Sequence, residues 1–154
     1  MKIIELTESA IKQKAGVIPF IVLPDGSVKM MFMSPSDPSY GGPRPQIAKG
    51  GVDQGESIKE AAIREGEEEL GLNRSNIIAI YAVPPVTLSG LDATYTMSIF
   101  AVQVKDHKNF GMPHFETGAT YWLTDEQFAL RGRKTQQQLV DAAAAVIAKH
   151  QSPT

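Results

Sequence analysis

The chain has 154 residues, 42% of them hydrophobic and 21% charged, the composition of one folded domain with a core of its own. No apolar run reaches the ~18 residues that suggest a membrane helix, and the N-terminal MKIIELTESAIKQKAGVIPF mixes charged and apolar positions too evenly for a secretory signal. The absence of cysteine excludes disulfides, zinc–thiolate sites and thiol nucleophiles and fits a cytoplasmic protein, while the net charge of -2 argues against a globally basic nucleic-acid binder.

No internal repeat and no linker-like stretch divides the chain, so residues 1–154 are expected to form a single domain. Ala15 to Leu23 is an apolar, β-branched run that reads as a buried strand. Pro24-Asp-Gly26 supplies turn chemistry, and Val28 to Met33 reads as the returning strand of a hairpin. Four prolines and two glycines between Ser34 and Pro45 predict a loop. A helix follows Gly50-Gly51, with Ile58, Ala61, Ala62 and Leu70 at helical spacing and Gly71 as its stop. Ile77 to Val83 reads as a strand closed by Pro84-Pro85, and Thr94 to Val104 as an alternating strand. Gly111-Met-Pro113 belongs to a loop, and Thr120 to Leu123 is a short strand around Trp122. Thr124 and Gln127 have the spacing of a capping box, which starts a short helix. Thr135 to Lys149 is a second amphipathic helix, its stripe formed by Leu139, Ala142, Ala143, Val146 and Ile147. This order predicts a mixed α/β domain in which helices cover a sheet.

The small net charge conceals an uneven distribution. Six of the ten glutamates lie between residues 56 and 69; with Lys59 and Arg64 that stretch sums to -4, leaving +2 for the rest. Glu65, Glu68 and Glu69 stand at i, i+3 and i+4, side by side on one helix face. Like charges so placed repel by roughly 0.2–0.5 kcal/mol per pair, so a cation among them is expected. Arg64 reaches Glu60, Glu67 and Glu68 by the same spacing. A hard divalent cation such as Mg²⁺ or Mn²⁺, which prefers carboxylate oxygens, is the other choice. A solvated acidic face is the plainer alternative.

The order of residues discriminates among these. After Gly50 come five residues and Glu56, then seven residues and Arg64-Glu65, then Glu68-Glu69, and finally Gly71 and the aliphatic Leu72. This pattern resembles the Nudix box, the signature of the Nudix hydrolases, at every fixed position but Gly66, where the family usually has an aliphatic side chain. The resemblance implies an α/β/α sandwich with a central mixed sheet and a loop-helix-loop catalytic motif. It implies a Mg²⁺ or Mn²⁺ site formed by Glu65, Glu68 and Glu69, with Gly50 as part of it and Glu56 in support. Arg64 would orient a glutamate of the box. The implied activity is hydrolysis of a pyrophosphate bond in a nucleoside diphosphate linked to another group, by attack of a metal-activated water.

Outside the box the resemblance is looser. Lys49 stands where dinucleoside polyphosphate hydrolases and their relatives carry a lysine before the box glycine, which would neutralise a substrate phosphate; the alternative is an exposed loop lysine. Glu116 precedes Trp122-Leu123 by the offset at which polyphosphate-cleaving relatives place a further metal ligand or general base. His114 is a candidate contact to phosphate or base, and His107 and His150 are expected on the surface. Tyr40, Tyr81, Tyr95, Phe110 and Phe115 are the candidates for stacking on a nucleobase, with Tyr40 taken as a substrate residue. The basic run Arg131-Gly-Arg-Lys134 could steer a phosphate tail. Dinucleoside polyphosphates are slightly favoured as substrate; ADP-ribose and other nucleotide sugars, nucleoside triphosphates and a capped RNA end stay open, as do a homodimer and a non-catalytic nucleotide-binding module.

Overall fold

The computed structural model describes residues 11–89 and 94–151, so the first ten residues of the segment weighed against a secretory signal lie outside it. Its centre is a seven-stranded mixed sheet. The strands are β1 (Ile11–Val22), β2 (Val28–Pro35), β3 (Ala48–Gly51), β4 (Ile77–Ala82), β5 (Val86–Ser89), β6 (Thr94–Val104) and β7 (Thr117–Leu123). The helices are α1 (Ile58–Leu70), α2 (Asp125–Arg131) and α3 (Gln137–Gln151). The main strand order is β4-β6-β1-β2-β7, with β3 paired to β1 and β5 to β6. Only β1 and β6 run parallel; the remaining pairings are antiparallel.

From Ala15 to Phe20, β1 is apolar without alternation because both of its faces are covered there, whereas Lys12 and Gln13 before that stretch are exposed. Ala15 and Val17 join a core with Ala61, Ala62, Ile63 and Leu70 of α1. Ile18 and Phe20 point the other way, into a core with Phe128 of α2 and Leu139, Val140, Ala143 and Ile147 of α3. β2 divides in the same manner, Met31 and Met33 facing α1, Met30 and Phe32 facing α2 and α3. The two layers make the α/β/α sandwich that the resemblance implied. β6 is likewise buried on both sides, Met97, Ser98 and Ile99 in succession, so its expected alternation gives way to a central strand.

Two short strands escape the sequence reading. β3 is only AKGG, a glycine-rich tetrapeptide that pairs with the first half of β1 while β2 pairs with the second. β5 is four residues after Pro84-Pro85, too short to show a period. The capping box appears as expected: the Thr124 hydroxyl accepts from the Gln127 amide while the Gln127 side chain accepts from that of Thr124. In α3 it is Val140, not Ala142 or Val146, that is fully buried with Leu139, Ala143 and Ile147.

Gly66 resolves the departure from the box. A Cβ there would lie 3.0 Å from both Leu72 Cδ2 and Val17 Cγ1, so α1 rests close on β1 and these two neighbours fill the space.

Candidate active site

α1 begins at Ser57, whose hydroxyl accepts the Glu60 amide at 3.1 Å, and ends at Gly71, left-handed with φ 75°. That conformation suits glycine, and an added Cβ would also collide with the Gly111 carbonyl. Between these caps the apolar face binds the sheet, and Glu65, only 7% exposed, is carried under the helix with it.

Arg64 organises the box. Its Nε and Nη2 donate to both carboxylate oxygens of Glu56, at 2.8 and 3.0 Å, a bidentate match of fork to carboxylate. Nη1 donates to Glu65 at 3.0 Å and lies 3.5 Å from Glu68, while Nη2 also donates to the Gly51 carbonyl at 3.0 Å. The Arg64 hydrogen bond and the Asp53 amide hold the Glu56 carboxyl below its ordinary pKa, and Glu56 in turn raises that of Arg64. The pairing with Glu60 and Glu67 expected from helical spacing is not made. Arg74, from the turn after α1, takes both at 3.0 and 3.2 Å, leaving Arg64 free to fold back over the loop before the helix.

Glu65 and Glu69, one helical turn apart, border the same hollow. Burial, and then the Glu65 carboxylate, push Glu69 up to about 8, against the Lys49 amide, which donates to it at 3.3 Å. Two such carboxylates are compatible only with a proton or a cation between them. Gly50 makes room for them, because a Cβ there would strike the Glu65 carboxylate. Carboxylates of Glu65, Glu68, Glu69 and Glu116 border this point, a donor type that suits Mg²⁺ or Mn²⁺. Among the described residues no three Asp, Glu or His side chains converge closely enough to hold an ion as they stand.

The distant part of the sequence is brought in by backbone. The last carbonyls of α1 lack helical partners. The His114 amide donates to the Glu68 carbonyl at 2.8 Å, the Thr117 hydroxyl to that of Glu69 at 2.9 Å, and the Gly111 amide to that of Gly71 at 2.6 Å. The segment 111–117 is thereby fixed along the end of α1. His114, Glu116 and Thr117 border a hollow shared with Lys49, Gly50, Glu65, Glu68 and Glu69. Thr117 carried no sequence signal, since its role is to hold a helix end.

A larger cleft of about 520 Å³ opens beside it, bordered by Lys49, Glu69, Glu116, Gln46, Tyr40 and Phe115. Tyr40 and Phe115 are 75% and 87% exposed at its rim. The loop bearing Tyr40 is held by Gln46, whose amide group donates to the carbonyls of Gly41, Gly42 and Arg44. The other aromatic candidates lie elsewhere. Tyr81 stacks on His150 at 4.0 Å, Phe110 meets Trp122 edge-on, and Tyr95 lies beneath the Lys14 ammonium. His107 and His150 are exposed, as expected, His107 edge-on to Trp122. Of the basic run, Arg131 covers Tyr121, Lys134 donates to the Ala129 carbonyl, and Arg133 alone turns toward the cleft, its Nη1 donating to Gln46 at 3.4 Å.

A family model described as NUDIX domain matches residues 14–143. No curated protein matches the sequence significantly. Among solved structures, a C. elegans Ap4A hydrolase binary complex aligns with a TM-score of 0.75 at 18% identity, covering 90% of this chain and 99% of that one. The NUDIX domain of Shewanella oneidensis NrtR complexed with ADP ribose gives 0.72 at 12% identity, covering 94% and 98%. RenU, a Nudix hydrolase from M. smegmatis, gives 0.70 at 18% identity, covering 88% and 87%. At these identities the likeness is one of fold.

Proposed function

The chain belongs to the NUDIX family, a membership that supports a pyrophosphohydrolase, and we propose that it hydrolyses nucleotide pyrophosphates with Mg²⁺ or Mn²⁺ at the Glu65–Glu68–Glu69 face. Nudix hydrolases generally use divalent metals. The observation that carries the reading is the hollow bordered by Glu65, Glu68, Glu69 and Glu116, four acids around one space, an arrangement that takes up positive charge.

When bound, a divalent cation neutralises phosphate oxygens and lowers the pKa of a water toward neutrality. The chain's own groups do the rest. Arg64 fixes the Glu56 and Glu65 carboxylates so that they need no reorganisation as charge develops. Glu116, on the border of both hollows, is the candidate general base. The water oxygen forms a bond to phosphorus in line with the bridging oxygen, the bridging P–O bond breaks, and its electron pair leaves with the departing phosphate. The proton released by the water goes to the carboxylate. Lys49 faces phosphate, and Tyr40 with Phe115 offers an aromatic surface for a nucleobase in a cleft of suitable size.

The test is a panel of dinucleoside polyphosphates, ADP-ribose, nucleoside triphosphates and capped RNA, each incubated with Mg²⁺, Mn²⁺ or EDTA and analysed for products. Turnover with a metal and none in EDTA is expected. A protein that turns over no member with either metal is not the enzyme proposed; nucleotide binding without turnover would instead favour the binding-module reading.

A further inference from the structure

A second charged hollow lies behind Lys49. Strand alternation sends neighbouring residues of β3 to opposite faces of the sheet. Gly50 therefore meets Glu65 on the α1 side, while Lys49 also borders a hollow of about 190 Å³ on the other side, with Arg133, Ser89, Tyr95 and Thr135. The register of β1 adds a third cation. Gly16 pairs with Lys49 and Lys14 with Gly51, so Lys14 is a diagonal neighbour of Lys49 on the same face. The Lys14 ammonium stands 4.4 Å above the Tyr95 ring at the edge of the hollow. Lys14 and Arg133 both bear electrostatically on Lys49, more strongly than Glu69 and Glu65 do from the opposite side.

Lys49 and Arg133 thus border the hollow with Lys14 beside it over Tyr95, and among the described residues none of the three is in an ion pair. Like charges brought together by a fold, with hydroxyls of Ser89 and Thr135 beside them, form a focused positive field suited to a small anion. The volume sets the class. At about 190 Å³ the hollow falls below the range of pockets that enclose a nucleoside-sized group, whereas the cleft of about 520 Å³ falls within it. Lys49 borders that cleft, the glutamate hollow and this one, so a phosphate chain passing it would touch all three.

We infer that the hollow between Lys14, Lys49 and Arg133 is a subsite for a phosphate beyond the two that flank the cut, so that the natural substrate carries a run of at least three phosphates. The inference rests on the proposed pyrophosphohydrolase activity and narrows it: a nucleotide sugar, with only two phosphates, leaves this subsite empty. The hydroxyls and cations hold this further phosphate, and the cleft with Tyr40 and Phe115 holds the nucleoside.

The test has a binding arm and a turnover arm. Metal-free wild-type protein in EDTA is titrated calorimetrically with inorganic tripolyphosphate and with pyrophosphate, alongside Lys14→Gln, Arg133→Gln and Lys14→Arg. Tripolyphosphate binds the wild type more tightly than pyrophosphate does, each Gln variant raises its Kd about tenfold, and Lys14→Arg keeps it within about twofold. The selectivity ratio, kcat/KM for a nucleoside triphosphate or dinucleoside tetraphosphate over kcat/KM for ADP-ribose, falls about tenfold in the Gln variants through a raised KM. Wild-type protein that binds tripolyphosphate no better than pyrophosphate overturns the subsite, as does an unchanged Kd in both Gln variants. A ratio that does not move while ADP-ribose is hydrolysed overturns the subsite and leaves the enzyme reading standing. If nothing is turned over, the enzyme reading falls and the binding arm still decides the subsite. Circular dichroism and melting temperature verify that the variants are folded.

Discussion

Substituting Glu69 by Gln removes one of two neighbouring carboxyls, Glu65 buried and Glu69 half-buried, and leaves a neutral amide in its place. In the native protein Glu69 keeps its proton up to about pH 8, whereas the ordinary glutamate value is 4.5. The folded state therefore binds a proton that the unfolded chain has released, and stability from this pair is present below pH 4.5 and lost as pH rises through about 8. At 1.36 kcal/mol per pH unit the full difference is ~5 kcal/mol. Solvent at the partly open cleft, where Glu69 is only half-buried, cuts this to about 2 kcal/mol. In EDTA, the wild type should lose about 2 kcal/mol between pH 5 and pH 9 that Glu69→Gln does not lose. For a chain of this size that is a relative drop in melting temperature of roughly 6 °C. Thermal unfolding by circular dichroism at several pH values reads it directly, and Mg²⁺ at pH 9 should restore the wild type more than the variant. Parallel stability curves for the two proteins from pH 5 to 9 would refute the argument, because they would mean that the folded state does not hold a proton on Glu69.

Glu68→Gln should lower kcat by roughly 100-fold or more with the fold intact, since it removes charge and little volume from the proposed cation face; near-wild-type turnover would show that Glu68 is not a ligand. Arg64→Lys should reduce both activity and melting temperature, the latter by roughly 5 °C, because a single ammonium cannot replace the bidentate hold on Glu56 together with the bonds to Glu65 and Gly51. Unchanged melting would mean that the network has no structural role. Gly66→Leu, which restores the residue class usual in the box, should destabilise by about 1–3 kcal/mol, because Val17 and Leu72 already occupy the space; a more stable variant in chemical denaturation contradicts the packing argument. Gly71→Ala should cost more than about 2 kcal/mol, combining a left-handed φ with a collision against the Gly111 carbonyl, and equal stability by the same measurement would count against the assigned helix end.

The helix and its acidic face were legible because both obey local periods. The spacing of Glu65, Glu68 and Glu69, the stop at Gly71 and the capping box at Thr124 need only neighbours in sequence. β3 was not legible, since a glycine-rich tetrapeptide has no period and becomes a strand only because β1 offers it an edge. Of the three partners that helical spacing offered Arg64, Glu68 lies within reach at 3.5 Å and the other two do not pair with it, for a related reason. Helical spacing offered Glu60 and Glu67, but Arg74, beyond the helix, takes them, and the loop glutamate Glu56 presents the better bidentate geometry.

By itself the sequence determined the fold class, the acidic helix face and the chemistry that such a face suits, because 3.6-residue spacing turns a string of glutamates into adjacent carboxylates. Tertiary structure alone decided which glutamates share a hollow. Glu65 and Glu69 do so because α1 rests on β1 at Gly66 and Gly50 leaves space above them. It alone brought Glu116 to Glu69, through amide and hydroxyl bonds to the last carbonyls of α1. It alone brought Lys49 and Arg133 to one hollow and set Lys14 beside it over Tyr95, residues separated by up to 119 positions (133 minus 14). Those contacts depend on strand register and helix docking, and neither leaves a local pattern in the chain.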